Sequence, residues 1–355
     1  MAGISRQVIR NRCISLISRN FYSVLRQLQG NNITQRCKYS NSSVESEEAD
    51  PAPFFFNEEI QQMLKVLTRR DLNKVFRVKK DGQPIADPEY QFMTDKELQA
   101  VMKDAEERAD KKLQMPPVVK EREPITTIIS KDPEIQGYDT CKYVFTDITY
   151  NVSNVNRIIV VRDSNGILRQ ANWDERFRMN QIYFPLEGRE YYVPKMFFGE
   201  HLQDLLKREE YEFILDRACV QFDPDDPDYQ RVTKTVYDHI NEASHFKKLI
   251  STRHYGPMVF HLVWRKNIEN LLLHNIKNDI IEDAALLIKL YHKIHPSAKS
   301  AQVQCNDNHI QLIEKYVELD STNEGKLRAA INAYKEFDKA RKEVEAGIRA
   351  AHGLK

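Results

Sequence analysis

Seven positively charged side chains near the start of the chain could bind phosphate groups. They are Lys65, Arg69, Arg70, Lys74, Arg77, Lys79 and Lys80, seven cations within 16 residues. We call these residues the basic segment. On a helix, Lys65 and Arg69 would project opposite an apolar stripe, so a surface that contacts RNA phosphates is feasible. The alternative is a solvated helix face, which is the usual role of a charge run.

Histidine and carboxylate residues are the other candidates for chemistry. His292 and His295 are one helical turn apart, a spacing that can place two imidazoles on a metal ion. Neither a Cys nor a carboxylate lies one turn away to complete the ligand set, so we interpret them as helix-end histidines. The acidic run at 223–228 resembles a calcium loop but lacks the glycine at the bend and the distal glutamate. A helix-to-helix turn with N-capping aspartates explains this run more simply.

The sequence predicts no catalytic residue, no cofactor and no metal. It contains neither G-x-G-x-x-G nor G-x-x-x-x-G-K-[ST], and neither H-E-x-x-H nor G-x-S-x-G. The three cysteines beyond residue 44 are widely spaced, which excludes a disulfide framework and a C-x-x-C zinc clip. The longest apolar stretch without a full charge is Gly256–Trp264, whereas a membrane-spanning helix needs about 20 residues. We therefore expect neither an enzyme nor a membrane partner.

The first 44 residues have the composition of a mitochondrial presequence. They contain six Arg and one Lys but neither Asp nor Glu, and serine and apolar residues separate the arginines. A basic amphipathic segment of this kind directs import into the matrix. The alternative is a basic arm that binds nucleic acid. Without this segment, 46 Lys and Arg face 52 Asp and Glu, so the remaining chain is mildly acidic and its contacts with RNA should be local.

The helix and strand patterns divide the chain into five parts. Residues 45–56 are predicted to be a flexible acidic lead-in, and residues 57–190 an α+β region that carries the basic segment. In that region Asn57 caps a helix with Ile60, Met63, Leu64 and Leu67 on one face. A capping box at Thr94 and Glu97 opens another helix, with a buried line predicted through the residues that follow. That line is Leu98, Val101, Met102, Ala105, Ala109 and Leu113.

Strand patterns follow in the middle of the chain. Residues 142–150, 157–162 and 167–170 alternate or are rich in β-branched residues, and a D-S-N-G turn separates the last two, which predicts a small antiparallel meander. A helix capped by Asn172 and Glu175 comes next. Residues 191–320 read as successive helices in a bundle or short solenoid-like stack, including 229–251 and 256–273, and 321–355 as a charged C-terminal helix. The predicted class is α+β, predominantly helical, with a small central antiparallel sheet.

Several longer runs resemble a known family. They are KYVFTDITY (Lys142–Tyr150), RIIVVRDSNGILRQANWDERFRMNQIYFPLEGR (Arg157–Arg189), LQMPPV (Leu113–Val118), STRHYGPMVFHLV (Ser251–Val263) and LIKLYHKIHPSAKSAQ (Leu287–Gln302). Together they resemble the mitochondrion-specific family of small-subunit ribosomal proteins usually numbered twenty-two. The likeness covers roughly Phe54 to Gln302 and thins over the presequence and the C-terminal helix.

This resemblance implies a non-enzymatic structural component of the mitochondrial small ribosomal subunit, without a bacterial counterpart. The expected partners are other mitochondrial small-subunit ribosomal proteins and, through local contacts, the small-subunit rRNA. The expected location is the mitochondrial matrix. The resemblance supplies no catalytic or ligand-binding residues. A matrix helical adaptor or RNA-processing factor, associated only transiently with RNA or the ribosome, remains the alternative.

Overall fold

The computed structural model describes residues 50–77, 89–137, 140–302 and 308–352 of this chain. Residues 1–49, which include the predicted presequence, lie outside that description. The described part is a predominantly helical α+β fold, as predicted. Its helices are α1 (Ala52–Phe55), α2 (Glu58–Thr68), α3 (Leu72–Val75), α4 (Asp95–Lys112), α5 (Trp173–Tyr183), α6 (Gly199–Lys207), α7 (Tyr211–Gln221), α8 (Pro227–Ala243), α9 (Tyr255–Trp264), α10 (Glu269–Lys277), α11 (Ile281–Ile294), α12 (His309–Leu319) and α13 (Glu324–Ala351). Its strands are β1 (Ile128–Lys131), β2 (Tyr143–Thr146), β3 (Ile159–Arg162) and β4 (Ile167–Gln170).

The chain contacts the core before Asn57, where we predict that structure begins. Helix α1 is a single turn, and its Phe55 side chain is buried edge-on against Phe260, with ring centroids 5.2 Å apart. Asn57 then caps α2 as predicted, because its side chain accepts a hydrogen bond from the backbone N–H of Glu59 at 3.0 Å. The end of the predicted lead-in (residues 45–56) is therefore a hydrophobic anchor.

Helix α4 begins as predicted but buries less of its apolar face. The capping box is present: Thr94 donates its backbone N–H to Glu97 Oε2 at 2.8 Å, and its hydroxyl accepts from Glu97 N–H. Ala109 is fully buried. The first half of the predicted line is exposed: Leu98 (49%), Val101 (45%) and Met102 (55%). The prediction is wrong there because periodicity identifies an apolar face without telling whether the same chain covers it.

The sheet contains four antiparallel strands in the order β1-β4-β3-β2. Strands β2, β3 and β4 form the predicted meander, and Gly166 takes φ 79° in the turn between β3 and β4. The sequence pattern does not predict strand β1. It pairs with β4, and its register shifts between Ile128 and Ser130. A four-residue strand whose partner lies far along the chain gives little local pattern.

One face of the sheet packs on α5. Ile159 and Val161 of β3 are buried there together with Ala171, and Met179 of α5 lies against them. The predicted capping box fixes the start of α5, since the side chain of Asn172 accepts from the backbone N–H of the residue three positions on. The opposite face of the sheet has no such cover from the described residues.

Arginine side chains join the sheet region to the helices that follow. Arg189 donates to Asp223 Oδ1 at 2.9 Å, and Arg122 pairs with Asp226. Both acids belong to the acidic run at 223–228. Asp226 also caps α8, accepting from the backbone N–H of Asp228 at 2.9 Å, so the prediction of N-capping aspartates is confirmed.

Helices α6 to α13, together with α1 and α2, surround one hydrophobic core. Two predicted helices are too long. Residues 229–251 do not form one helix, because α8 ends at Ala243 and Ser244 takes φ 56°. Residues 256–273 divide into α9 and α10, and Lys266 takes φ 57° between them. Neither left-handed position carries a glycine, so the sequence gives no signal for these breaks.

The last helix, α13, is 28 residues long and only its first half packs on the core. Leu327 and Ile331 are buried, and the helix contacts α10 and α12. Beyond Asp338 the described side chains are exposed. Across the described ranges, no helix has both the length and the apolar character needed to cross a bilayer.

Candidate nucleic-acid interface

The basic segment begins on α2 and continues through α3. Lys65 is exposed, and the buried residues Ile60, Leu64 and Leu67 form the other side of α2, as predicted. Arg69 follows α2 in the left-handed conformation, with φ 51°. Its Nε donates to Asp283 Oδ2 of α11 at 2.5 Å, so this cation connects two helices of the core.

Arg70 points the other way, toward α4. Its guanidinium lies 2.9 Å from Asp110 Oδ1 and 3.3 Å from Glu106 Oε2. Both acids are about half exposed or more, and such exposed ion pairs contribute little to stability, about 0–1 kcal/mol. The pairs nevertheless neutralise the positive charge of Arg70 locally.

Lys74 is half-buried and makes internal hydrogen bonds. Its Nζ donates to the carbonyl of Lys248 at 3.0 Å and to the carbonyl of Ile250. Lys248 ends the short 3-10 helix Phe246–Lys248, and Ile250 lies in the turn after it. Ser251 strengthens the same junction, donating its backbone N–H to the carbonyl of Thr68 at 2.9 Å. Lys74 therefore fastens α3 to the turn that precedes α9.

Two cations of the basic segment remain available to a partner. Lys65 and Arg77 are exposed, and neither forms an ion pair with a carboxylate in the described ranges. Lys79 and Lys80 lie outside the described residues. Arg69, Arg70 and Lys74 thus make internal contacts, and the contact of the basic segment with RNA stays a prediction.

The fold places further cations beside this segment that the sequence pattern does not reveal. The Lys112 ammonium lies 4.5 Å from the centroid of the Phe76 ring, and the ring is 37% exposed. Lys247 is exposed in the 3-10 helix Phe246–Lys248, to which Lys74 is bound. Both lysines come from other parts of the chain. The packing of α3 against α4 brings Lys112 to Phe76, and the hydrogen bond of Lys74 brings Lys247 to α3.

The outer face of the sheet exposes several apolar side chains. Tyr143 and Phe145 alternate outward from β2 and are 49% and 55% exposed. Phe145 is paired with Val160, and Ile158, two residues earlier on the same side, is 68% exposed. Exposed apolar side chains that lie on the same face of a sheet favour contact with another protein.

The histidines considered as metal ligands have separate partners inside the protein. His292 Nε2 lies 2.7 Å from Ser300 Oγ, and His295 Nε2 lies 2.9 Å from the carbonyl oxygen of Val263. Burial lowers the pKa of both imidazoles from the ordinary value. Among the residues that the structure describes, no three His, Cys, Asp or Glu side chains are grouped so as to hold a metal ion.

A polar cluster around one buried histidine stabilises the middle of the helical region. His254 is 1% exposed, and its Nε2 lies 2.8 Å from Asp216 Oδ1. Arg253 donates to the same carboxylate oxygen through its Nη2 at 2.6 Å. Burial lowers the pKa of His254, and the hydrogen bond to Asp216 only partly opposes this. The cluster joins α7 to the start of α9 and has a structural role.

Comparison with known proteins identifies the family. The profile of the family described as mitochondrial 28S ribosomal protein S22 matches residues 53–296. The small ribosomal subunit protein mS22 of Mus musculus is 37% identical over 287 residues, which cover 80% of this chain and 79% of the mouse protein. The protein of the same name from Bos taurus is 38% identical over 286 residues, with the same coverage of each chain. The chain belongs to the mitochondrial 28S ribosomal protein S22 family.

Proposed function

We propose that this chain is a structural component of the mitochondrial small ribosomal subunit that attaches mainly through neighbouring proteins and contacts rRNA only locally. Family membership carries the first part of this statement. As a member, the chain is a non-enzymatic protein of the mitochondrial ribosome in the matrix, where it associates with other ribosomal proteins and with rRNA. The adaptor or processing-factor alternative is not favoured by this assignment.

One contrast supports attachment through proteins. Arg69, Arg70 and Lys74 make internal contacts, whereas the outer face of the sheet presents exposed aromatic and aliphatic side chains such as Phe145 and Ile158. Burial of apolar surface favours protein contacts and lacks the steep loss with salt that phosphate contacts show. Contacts of Lys65 and Arg77 with rRNA would add a weaker, salt-sensitive contribution to binding.

Reconstitution tests this mode of attachment. The wild-type chain and the double variant Phe145→Ser/Ile158→Ser are each added to small subunits depleted of the chain and to naked small-subunit rRNA. We expect the variant to lose most of its binding to the depleted subunit. Binding to naked rRNA should be weak for both proteins, with a salt slope near the value of about −1.4 expected for two phosphate contacts with single-stranded RNA.

A matched control removes exposed apolar side chains elsewhere. The double variant Val66→Ser/Ile182→Ser changes residues that are 61% and 56% exposed and that belong to α2 and α5 rather than to the outer sheet face. It should bind like wild type. Tight binding of the wild-type chain to naked rRNA, with a slope several times steeper, would contradict attachment through proteins.

We also infer that residues 1–44 act as a presequence for import into the matrix. The inference is supported by their arginine-rich, acid-free composition and by the mitochondrial family of the chain. Its test is an import assay with isolated mitochondria, in which the full-length chain should be imported and shortened. A chain without residues 1–44 that is imported equally well would contradict it.

A further inference from the structure

From Ala333 onward, α13 carries an apolar face that the described part of the chain leaves uncovered. Phe337 is 59% exposed, Val344 is 62% exposed and Ile348 is 54% exposed. Small residues lie between and beside them. The complete set, which we call the distal stripe, is Ala333, Phe337, Ala340, Val344, Gly347, Ile348 and Ala351.

The spacing of the distal stripe is that of a helix–helix contact. Successive members from Ala333 to Ala351 are separated by alternating steps of four and three residues, with Ile348 adjoining Gly347. At about 100° per residue these positions occupy one side of α13, in a band about 100° wide. This seven-residue repeat is the pattern by which one helix packs along another.

The distal stripe is distinct from the face of α13 that packs on the core. That face consists of Leu327, Ile331 and Tyr334 and ends with Arg341, which pairs with Asp279 at 2.8 Å. It is rotated from the distal stripe by about a quarter of a turn. The intramolecular contact therefore leaves the distal stripe open.

Charge favours a protein over RNA as the main occupant. The five lysine and arginine residues between positions 335 and 351 each form an ion pair with a carboxylate, and the distal stripe itself contains no charged residue. The pairs are Lys335–Glu314, Lys339–Glu343, Arg341–Asp279, Lys342–Asp338 and Arg349–Glu345. Each of these five cations has a carboxylate beside it, which opposes contact with phosphates, whereas an uncharged apolar face complements an uncharged apolar partner.

Gly347 lies where a partner helix would approach. A methyl group built on its Cα would meet nothing within 4 Å, so the fold of this chain does not require a glycine there. A glycine inside an exposed helix costs about 1 kcal/mol relative to alanine. A close approach by another helix would explain why a glycine is present here, because small residues allow helix axes to come together.

We propose that the distal stripe of α13 binds an apolar helix face of another protein in the mitochondrial small subunit. The proposal rests on the proposed function, since that function places the chain in the subunit. Residues 53–296 carry the family match and α13 lies outside them, so attachment of the chain and occupancy of the stripe can be measured separately.

The test is photo-crosslinking within purified small subunits. A tagged full-length chain carries a photoreactive phenylalanine analogue at position 344, or at position 339 as a control, since Lys339 is 79% exposed but outside the distal stripe. Crosslinked peptides are sequenced. We expect position 344 to give one peptide from another small-subunit protein, with apolar residues at helical spacing, and position 339 to give at least about tenfold less of it.

Substitutions at Gly347 sharpen the test. Gly347→Leu should reduce the crosslink from position 344 about tenfold or more because it fills the gap. Gly347→Ala should raise the helicity of the isolated chain and still reduce the crosslink. A crosslink to rRNA or to a second copy of this chain, or one that neither substitution changes, would overturn the proposal. So would the absence of a crosslink in a chain that still sediments with the subunit. Loss of the unsubstituted chain from the small-subunit fractions would instead contradict the proposed function on which this inference rests.

Discussion

The carboxylate of Glu269 holds the backbone of Thr322 in place at the start of the last helix. Glu269 Oε1 accepts the backbone N–H of Thr322 at 2.5 Å and its hydroxyl at 2.8 Å, and Oε2 accepts the amide of Asn323 at 2.5 Å. Glu269 itself is in the first turn of α10. One buried side chain therefore sets the direction in which α13 leaves the core.

Replacing Glu269 should destabilise the chain and release α13. Burial alone would raise the pKa of Glu269, but the hydrogen bonds from Thr322 and Asn323 outweigh it, and the pKa is lowered. Glu269→Gln loses the charge-assisted bonds and places an amide group against donors. We expect a loss of about 1–3 kcal/mol in the free energy of unfolding, measured with urea at neutral pH.

Glu282→Gln is the control, because Glu282 is exposed on α11. Its unfolding free energy should match wild type within about 0.5 kcal/mol. The lowered pKa of Glu269 also determines how the free energy of unfolding changes with pH. The stabilisation by this carboxylate is complete above the carboxyl pKa of the unfolded chain, and it disappears as the pH falls through the folded pKa. Equal stability of the two variants would show that the contact with Thr322 is not important.

Stability should decrease when the pH falls below about 6.5, the ordinary pKa of histidine. Burial lowers the pKa of four histidines: His254, His274, His292 and His295. The unfolded chain consequently binds more protons than the folded chain in this range, so the free energy of unfolding rises with pH. Carboxylates with lowered pKa act in a separate window, below about pH 4.5.

The measurement is thermal unfolding at pH 7.5 and pH 5.5. We expect a lower melting temperature at pH 5.5 for wild type. His254→Gln should be less stable at pH 7.5 and should lose less on acidification, because a glutamine does not titrate. If the variant shows the same pH dependence as wild type, the burial of His254 contributes nothing to it.

Gly166 is required by a close approach of two backbones. It takes φ 79°, and a methyl group on its Cα would lie 2.3 Å from the carbonyl oxygen of Asp132. In Gly166→Ala, a steric clash with the backbone of Asp132 therefore adds to the free-energy cost of the left-handed conformation. We expect the free energy of unfolding to fall by well over the cost of about 1 kcal/mol that the conformation alone would bring.

Gly137 provides the matched control. It takes φ 77°, but a methyl group there would meet nothing within 4 Å. Gly137→Ala should cost only about 1 kcal/mol in urea unfolding. Equal losses for the two alanine variants would mean that β1 and the turn between β3 and β4 adjust without strain.

Charge reversal separates RNA binding from stability within the basic segment. Lys65→Glu/Arg77→Glu changes two exposed cations without a carboxylate partner in the described ranges. We expect a flatter salt dependence of binding to the depleted subunit and unchanged unfolding. Lys207→Glu/Arg208→Glu, at the C-terminal end of α6, is the control and should leave binding unchanged. If both double variants behave like wild type, the basic segment is a solvated face.

The sequence predicts features whose causes are local. Asn57, Thr94, Asn172 and Asp226 each cap the helix assigned to them, since a cap needs only a side chain and an N–H two or three residues on. The helix breaks at Ser244 and Lys266 escape prediction for a related reason. In a chain with only 11 glycines, ordinary residues adopt the left-handed conformation at helix ends, and the usual signal is missing.

Features that depend on contacts between distant residues could not be predicted. The internal role of Lys74 requires the carbonyl of Ile250, and that of Arg69 requires Asp283. Leu98 and Met102 are exposed although their spacing indicates burial, because apolar periodicity is the same whether the partner belongs to this chain or to another protein. The sequence thus identifies the basic segment as the candidate site, but it does not show that Lys65 and Arg77 are the cations without an internal partner in the described ranges.

Sedimentation of a mitochondrial lysate tests the central claim most directly. The lysate is run through sucrose gradients at low and then at high salt, and the fractions are probed for this chain. A structural component attached mainly through apolar protein contacts should migrate with the small subunit and the monosome in both gradients. Recovery of the chain only in the light fractions, even at low salt, would contradict its role as a component of the small subunit.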